Sequence, residues 1–162
     1  MTPYKKILVP LDGSELAECA LNHVKQLLDG CPDGEVVLLN AVVADIPWRS
    51  LNVGEEGHSI TYDVNTYVKS LLDKSRRYLA KVKYRLASGF SEGIKVKTET
   101  LETNRPSQTI TDYAEKNGVD LIVIATHGYT GMRKMMLGST ALKVLHESNI
   151  PVLLIRPEAC RA

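Results

Sequence analysis

Apolar residues fall into five short runs, separated by longer stretches in which they recur every third or fourth position. Ile7-Leu8-Val9, between Lys5-Lys6 and Pro10, is continuous and rich in branched residues, the mark of a strand buried on both faces. Glu35 to Val43 (EVVLLNAVV) and Asp120 to Ala125 (DLIVIA) read the same way. Ile94 to Leu101 (IKVKTETL) alternates apolar with polar, so it predicts a strand exposed on one face, near a sheet edge. Pro151 to Arg156 (PVLLIR) is the fifth. Helical spacing links Leu16, Ala20, Val24, Leu27 and Leu28, with Ser14 as the cap and Gly30 as the stop. A longer stripe starts at about Thr61, runs through Val68, Leu72, Leu79, Val82 and Leu86, and ends at Gly89. Pro106 suits the first turn of a third helix with Ile110, Tyr113 and Ala114 inside, closed by Asn117-Gly118. Ser139 is the expected cap of a last helix carrying Ala141, Leu142, Val144 and Leu145.

The order is βαβαβαβαβ. It predicts an α/β fold: a single doubly wound five-stranded parallel sheet, Rossmann-like, with helices on both faces and right-handed crossovers. The three most apolar strands belong at its centre. No repeat or linker divides the chain, so residues 1–157 are expected to form one domain, with 158–162 as a tail. Ligands of such sheets sit beyond the C-terminal strand ends, where the strand order reverses. Three loops compete for that place: 10–14, 41–60 and 126–139. Residues 44–60, with Pro47, Gly54, Gly57 and the only Trp, Trp48, make an unusually long connection, and such loops are usually functional or mobile.

Composition narrows the partners. In 162 residues, 20 Lys and Arg against 19 Asp and Glu leave a net charge of +1, so there is no general electrostatic footprint for nucleic acid or an anionic membrane. No apolar run approaches the ~18 residues of a membrane span, and MTPYKKILVPLDGS lacks the apolar core and cleavage site of a secretory signal. Cys19, Cys31 and Cys160 are odd in number and show no CxxC spacing, which argues against a disulfide framework and a zinc site. The expected setting is the cytoplasm.

The segment after the fourth strand carries the chemistry: Ala125-Thr126-His127-Gly128-Tyr129-Thr130-Gly131-Met132-Arg133-Lys134-Met135-Met136-Leu137-Gly138-Ser139-Thr140. Gly128, Gly131 and Gly138 permit positive φ and close approach of the backbone to a ligand. Gly138-Ser139-Thr140 opens a helix, so free amides and the positive dipole end face outward, as a phosphate requires. Arg133 and Lys134 add cationic reach. The loop is not a Walker A motif, because no GK[ST] follows four residues after a glycine. The first strand ends in Asp12-Gly13-Ser14, without GxGxxG. By spacing alone, a phosphate site and a tight turn remain open.

ILVPLDGSE, LIVIATHGYTGMRKMMLGST and PVLLIRP together resemble the universal stress proteins, an adenine nucleotide alpha hydrolase-like group of the ATP-binding type. That family's motif is Gly, two residues, Gly, nine residues, then Gly-Ser or Gly-Thr. Gly128 and Gly138-Ser139 fit it, whereas Ala125 stands in place of the first glycine. The resemblance implies that Asp12 holds the ribose or adenine side and that Pro10 and Leu11 line the base. Ala41 would face the adenine, Ile124 and Ala125 the nucleoside, and Gly128, Gly138, Ser139 and Thr140 the phosphates. His127 and Arg133 complete the implied set. The cofactor implied is ATP with Mg²⁺, the ion held largely by phosphate oxygens and water rather than by protein ligands. A homodimer through strand 151–156 is also implied, which suits an apolar edge in need of cover.

Plainer roles stand beside these. Asp12 in an Asp-Gly-Ser turn can serve the helix start. His127 lacks a triad or a second metal ligand, so it is expected to orient its loop. No general base, arginine finger or Walker-B-type carboxylate is apparent, so no catalytic residue is assigned, no dedicated enzyme is expected, and ATP hydrolysis is expected to be slow at most. The functional expectation is a nucleotide-dependent stress sensor or switch. Its alternative is a dimeric interaction module of the same fold without nucleotide, kept open by Ala125. An enzyme using adenylate chemistry is a third reading, disfavoured by the lack of a substrate domain.

Overall fold

The computed structural model describes residues 4–45, 64–90, 93–126 and 138–157. Chain order is β1 (Lys6–Pro10), α1 (Glu15–Glu18), α2 (Ala20–Leu28), β2 (Glu35–Val42), α3 (Val64–Ala87), β3 (Lys95–Glu102), α4 (Pro106–Lys116), β4 (Leu121–Ala125), α5 (Ser139–Glu147) and β5 (Val152–Ile155). All pairings are parallel, in the order β3-β2-β1-β4-β5. The three continuous apolar runs are the central strands, because only central strands are covered on both faces. The alternating KVKTETLE strand is an edge, as its pattern requires.

Side-chain alternation sorts the core into two layers. Ile7, Val9, Val36, Leu38, Leu121 and Val123 face α1, α2 and α3, meeting Val24, Leu28, Leu79, Val82 and Leu86. Leu8, Val37, Leu39, Ile122 and Ile124 face α4 and α5, meeting Ile110, Ala114, Ala141 and Val144. A one-residue slip of any central strand would exchange the two sets, so packing pins the register.

Three local expectations change. The first helix is two pieces joined at Cys19, where the Cys19 amide donates to Leu16 O at 3.3 Å and tightens the turn. Cys19 is disulfide-bonded and Cys31 is free, so cysteine parity did not exclude a disulfide. Asp120 lies before β4 rather than in it; its Oδ2 accepts from the Lys5 and Lys6 amides at 3.0 and 2.8 Å and ties the start of β1 to that of β4. Trp48 and most of the 44–60 connection lie outside the described residues, as does the 158–162 tail. Among the described residues no helix is long and apolar enough to cross a membrane.

Candidate functional site

The chain leaves β1 for β2 on one side and reaches β4 on the other, so the strand order reverses at β1. A helix cannot cover both neighbours of the reversal point, and a crevice stays open at the C-terminal ends there. It is a cavity of about 290 Å³, near the lower end of the range for small-molecule sites.

Five segments build it. The end of β1 gives Pro10, Leu11 and Asp12. Strand β2 gives Leu39 and Ala41, and Val43 just beyond. Strand β4 gives Ile124 and Ala125, followed by Thr126. Gly138, Ser139, Thr140 and Ala141 open α5, and Pro106 and Ile110 come from α4. The floor is apolar, with Leu39 fully buried and Ile124 6% exposed. The rim carries the carboxylate of Asp12 and the hydroxyls of Thr126, Ser139 and Thr140. Nine of the twelve residues singled out in the sequence therefore share one cavity: Pro10, Leu11, Asp12, Ala41, Ile124, Ala125, Gly138, Ser139 and Thr140. His127, Gly128 and Arg133 lie outside the described residues.

Local geometry fixes the rim. Asp12 Oδ1 accepts from Ser14 N at 2.9 Å and Ser14 Oγ at 2.6 Å, while Ser14 Oγ accepts from Ala17 N at 3.1 Å. Ser14, not Asp12, is thus the N-cap, and Asp12 orients it. Gly13 makes this turn possible at φ +89°, a conformation other residues reach at a cost of ~1–2 kcal/mol. At the other wall the Gly138 amide donates to Thr126 O at 2.6 Å, which stations the start of α5 beside the end of β4.

Two expectations about α5 are corrected. Gly138 is its N-cap and no side chain caps the helix; Ser139 is its first residue, so its hydroxyl is not spent on capping. Gly138 also sits at φ −56°, an ordinary value, so no left-handed backbone calls for a glycine there. Ala125 ends β4, 7% exposed and paired with Ile155, without positive φ, so the strand accepts a Cβ where the resembling motif has glycine.

Behind the β1 wall, Tyr78 of α3 is partly buried. Burial, then the charge of Glu18, raise its phenol above the ordinary 10.0, so it stays protonated at neutral pH. Glu18 also accepts from Arg85 Nη2 at 2.7 Å, tying α1 to α3. Sequence reading missed Pro106 and Ile110 as cavity walls. Pro106 was visible only as a helix start and Ile110 as an inner position. Tyr78 was passed over although it falls on the apolar face of α3, between Ser75 and Val82, and packs against the core.

What the cavity can do follows from its parts. The apolar floor between strand ends suits a flat hydrophobic ring. The uncapped α5 start offers unpaired amides to an anion. Among the described residues no three His, Cys, Asp or Glu side chains cluster as metal ligands.

The architecture and cleft define a small Rossmann-like α/β domain with an open crevice at the switch point. The Universal stress protein family model matches residues 3–156, and the chain belongs to that family. It is 33% identical over 159 residues to Universal stress protein MJ0577 of Methanocaldococcus jannaschii, covering 94% of this chain and 95% of the relative. The solved structure of MJ0577 superposes with a TM-score of 0.74 at 32% identity, covering 94% and 96% of the two chains. A universal stress protein of Arabidopsis thaliana with AMP bound superposes at a TM-score of 0.63 with 15% identity, covering 94% and 91%. Another, in complex with cAMP, gives 0.59 and 15%, covering 95% and 98%. At that identity the last two speak for the fold alone.

Proposed function

We propose that this protein binds adenine nucleotides, ATP with Mg²⁺ foremost, in the cleft between the ends of β1, β2 and β4, and works as a nucleotide-dependent sensor or switch in the stress response. The carrying observation is the cavity itself, with an apolar floor of Leu39 and Ile124 and the uncapped start of α5 at its rim. The floor matches a purine, the α5 amides with the Ser139 and Thr140 hydroxyls match phosphates, and Asp12 matches a ribose hydroxyl. The AMP and cAMP complexes of two proteins of this fold agree with the chemistry. Mg²⁺ in this reading is held by phosphate oxygens and water. Switching requires different nucleotide affinity in two conformations of the protein.

The proposed setting is the cytoplasm and the proposed working form a homodimer joined along β5. That edge strand carries Val152, Leu153 and Leu154, all partly buried, beside a helix with Leu142 and Leu145 at 50% and 44% exposure.

Denaturing the purified protein and separating the supernatant by anion exchange, then titrating MgATP by calorimetry, tests the reading. Co-purified adenine nucleotide or saturable heat is expected; neither would leave the alternative, a dimeric interaction module without nucleotide. Gly138→Val should keep the circular dichroism spectrum and weaken MgATP binding at least about a hundredfold, since side-chain bulk at the anion amides removes several charge-assisted hydrogen bonds. Unchanged affinity in the folded variant refutes the placement.

A further inference from the structure

The near-neutral total hides a segregation of charge. Between residues 64 and 87, α3 holds seven Lys and Arg against one Asp, although the whole chain nets +1. Its apolar stripe is taken up by the core, where Ser75, Leu79, Val82 and Leu86 are buried. On the side turned outward, exposed residues fall at helical spacing into one row: Lys74, Arg77, Lys81 and Tyr84. Tyr67, partly buried, stands two turns before Lys74 on the same row. At 1.5 Å per residue the two tyrosines bracket the three cations over about 25 Å.

Helix stability does not account for this row. None of Lys74, Arg77 and Lys81 forms an ion pair among the described residues. Like charges three or four positions apart, as at Lys74–Arg77 and Arg77–Lys81, work against a helix. The helix dipole adds nothing, since it favours cations in the last turn, where Arg85 is the one basic residue and is already held by Glu18. Arg76, off the row, is matched locally by Asp73 at 2.9 Å. Tyr84 is an independent sign. At 80% it is the most exposed large hydrophobic side chain among the described residues. An aromatic ring left open beside unmatched cations is the combination that single-stranded nucleic acids meet: phosphates take the cations, and an unstacked base takes the ring. A lipid surface fits less well. A helix lying on a membrane inserts an apolar face, and that of α3 is inside the protein. A duplex keeps its bases stacked within and has no base to offer the ring.

We infer that the outward row of α3 is a docking surface for single-stranded nucleic acid, with Lys74, Arg77 and Lys81 on phosphates and Tyr84 under a base. Its contacts read backbone charge and ring stacking, so binding follows strandedness rather than sequence. None of these residues lines the cleft, so this surface and the nucleotide reading stand or fall separately.

Fluorescence anisotropy with a labelled oligouridylate of about 20 nucleotides tests the surface on the full chain. The probe lacks adenine, so its binding is not adenine recognition in the cleft. Saturable binding is expected, with the logarithm of affinity falling against that of salt at a slope of about −2, the value for three phosphate contacts on a single strand. Lys74→Gln/Arg77→Gln/Lys81→Gln should weaken it at least about tenfold and flatten the slope, with the circular dichroism spectrum kept. Tyr84→Ala should weaken it about tenfold and leave the slope unchanged, which a merely electrostatic patch would not do. Lys69→Gln/Arg76→Gln/Lys83→Gln removes the same charge away from the row and should cost no more than about threefold. A duplex of equal length should bind at least about tenfold more weakly. The inference is overturned by no binding, by equal losses in the two triple variants, by unchanged affinity in Tyr84→Ala, or by a duplex held as tightly as the single strand. Retention on phosphatidylserine vesicles without oligouridylate binding overturns it too, and assigns the row to a membrane.

Discussion

Glu35 stands at the N-terminal end of β2 between two lysines. Lys6 Nζ lies 3.0 Å from Oε1 and Lys97 Nζ 2.8 Å from Oε2, so neighbouring strands β1 and β3 are both tied to it. The hydrogen bond from Lys97, then that from Lys6, hold its carboxyl below the ordinary 4.5 against the opposing effect of burial. A carboxylate depressed in the folded state stabilises above its unfolded value, and the gain fades as pH falls through the folded value. Glu35→Gln should therefore cost about 1 kcal/mol at pH 7, or about 2–4 °C in Tm at this length. The gap to wild type should close as the pH drops below 4.5. Melting curves from pH 7 to pH 3 check it; a constant gap would mean that packing, not charge, sets the cost. Gly13 and Ser14 act on the same scale at the cleft, one by its backbone and the other as a cap.

Among the elements, α3 shows how pattern becomes packing. Its 24 residues bury only Ser75, Leu79, Val82 and Leu86, a stripe at 3–4 spacing in its second half. The Lys and Arg positions off that stripe are exposed, and Tyr84 reaches 80% exposure. Leu79→Ala should cost about 2–5 kcal/mol, the lost transfer energy plus a cavity. Tyr84→Ala should stay within about 0.5 kcal/mol. Urea midpoints with unchanged slopes would separate the two; similar losses would contradict the assigned docking face. The starting turns of α4 and α5 have no side-chain cap. They give up local stability where both open on the cleft.

At the scale of the whole molecule, the parallel sheet leaves two edges of opposite character. Strand β3 alternates Lys, Thr and Glu along its open side, a pattern that discourages pairing. Strand β5 is apolar. The Pro151 and Ile155 carbonyls accept from Ile122 of β4 and from Thr126 just beyond it, so alternate residues, Val152 and Leu154, turn their amides to the open edge. Val152→Pro removes one outward donor and leaves the β4 ladder intact. It should convert the proposed dimer to monomer in sedimentation velocity at micromolar concentration with little change in circular dichroism. A monomeric wild type would remove the dimer from the proposal.

Much of this architecture is written along the chain. Period-2 and continuous apolar runs separate β3 from the central strands, because burial on one or both faces is a local property of composition. The nine cleft residues named in advance came from the family resemblance, and they sit at strand ends or at a helix start, where an open α/β sheet takes its ligand. Other features had no local mark. That Gly138 and not Ser139 caps α5 depends on the hydrogen bond to Thr126. Pro106 and Ile110 became cleft walls only when α4 packed over the β2 and β4 layer. The cleft itself joins Pro10 to Thr140, and no spacing rule reaches that far. The sequence by itself determined the elements, their burial and the family. Tertiary structure decided which helix starts meet at one place, because that follows from the strand order and crossovers of the folded sheet.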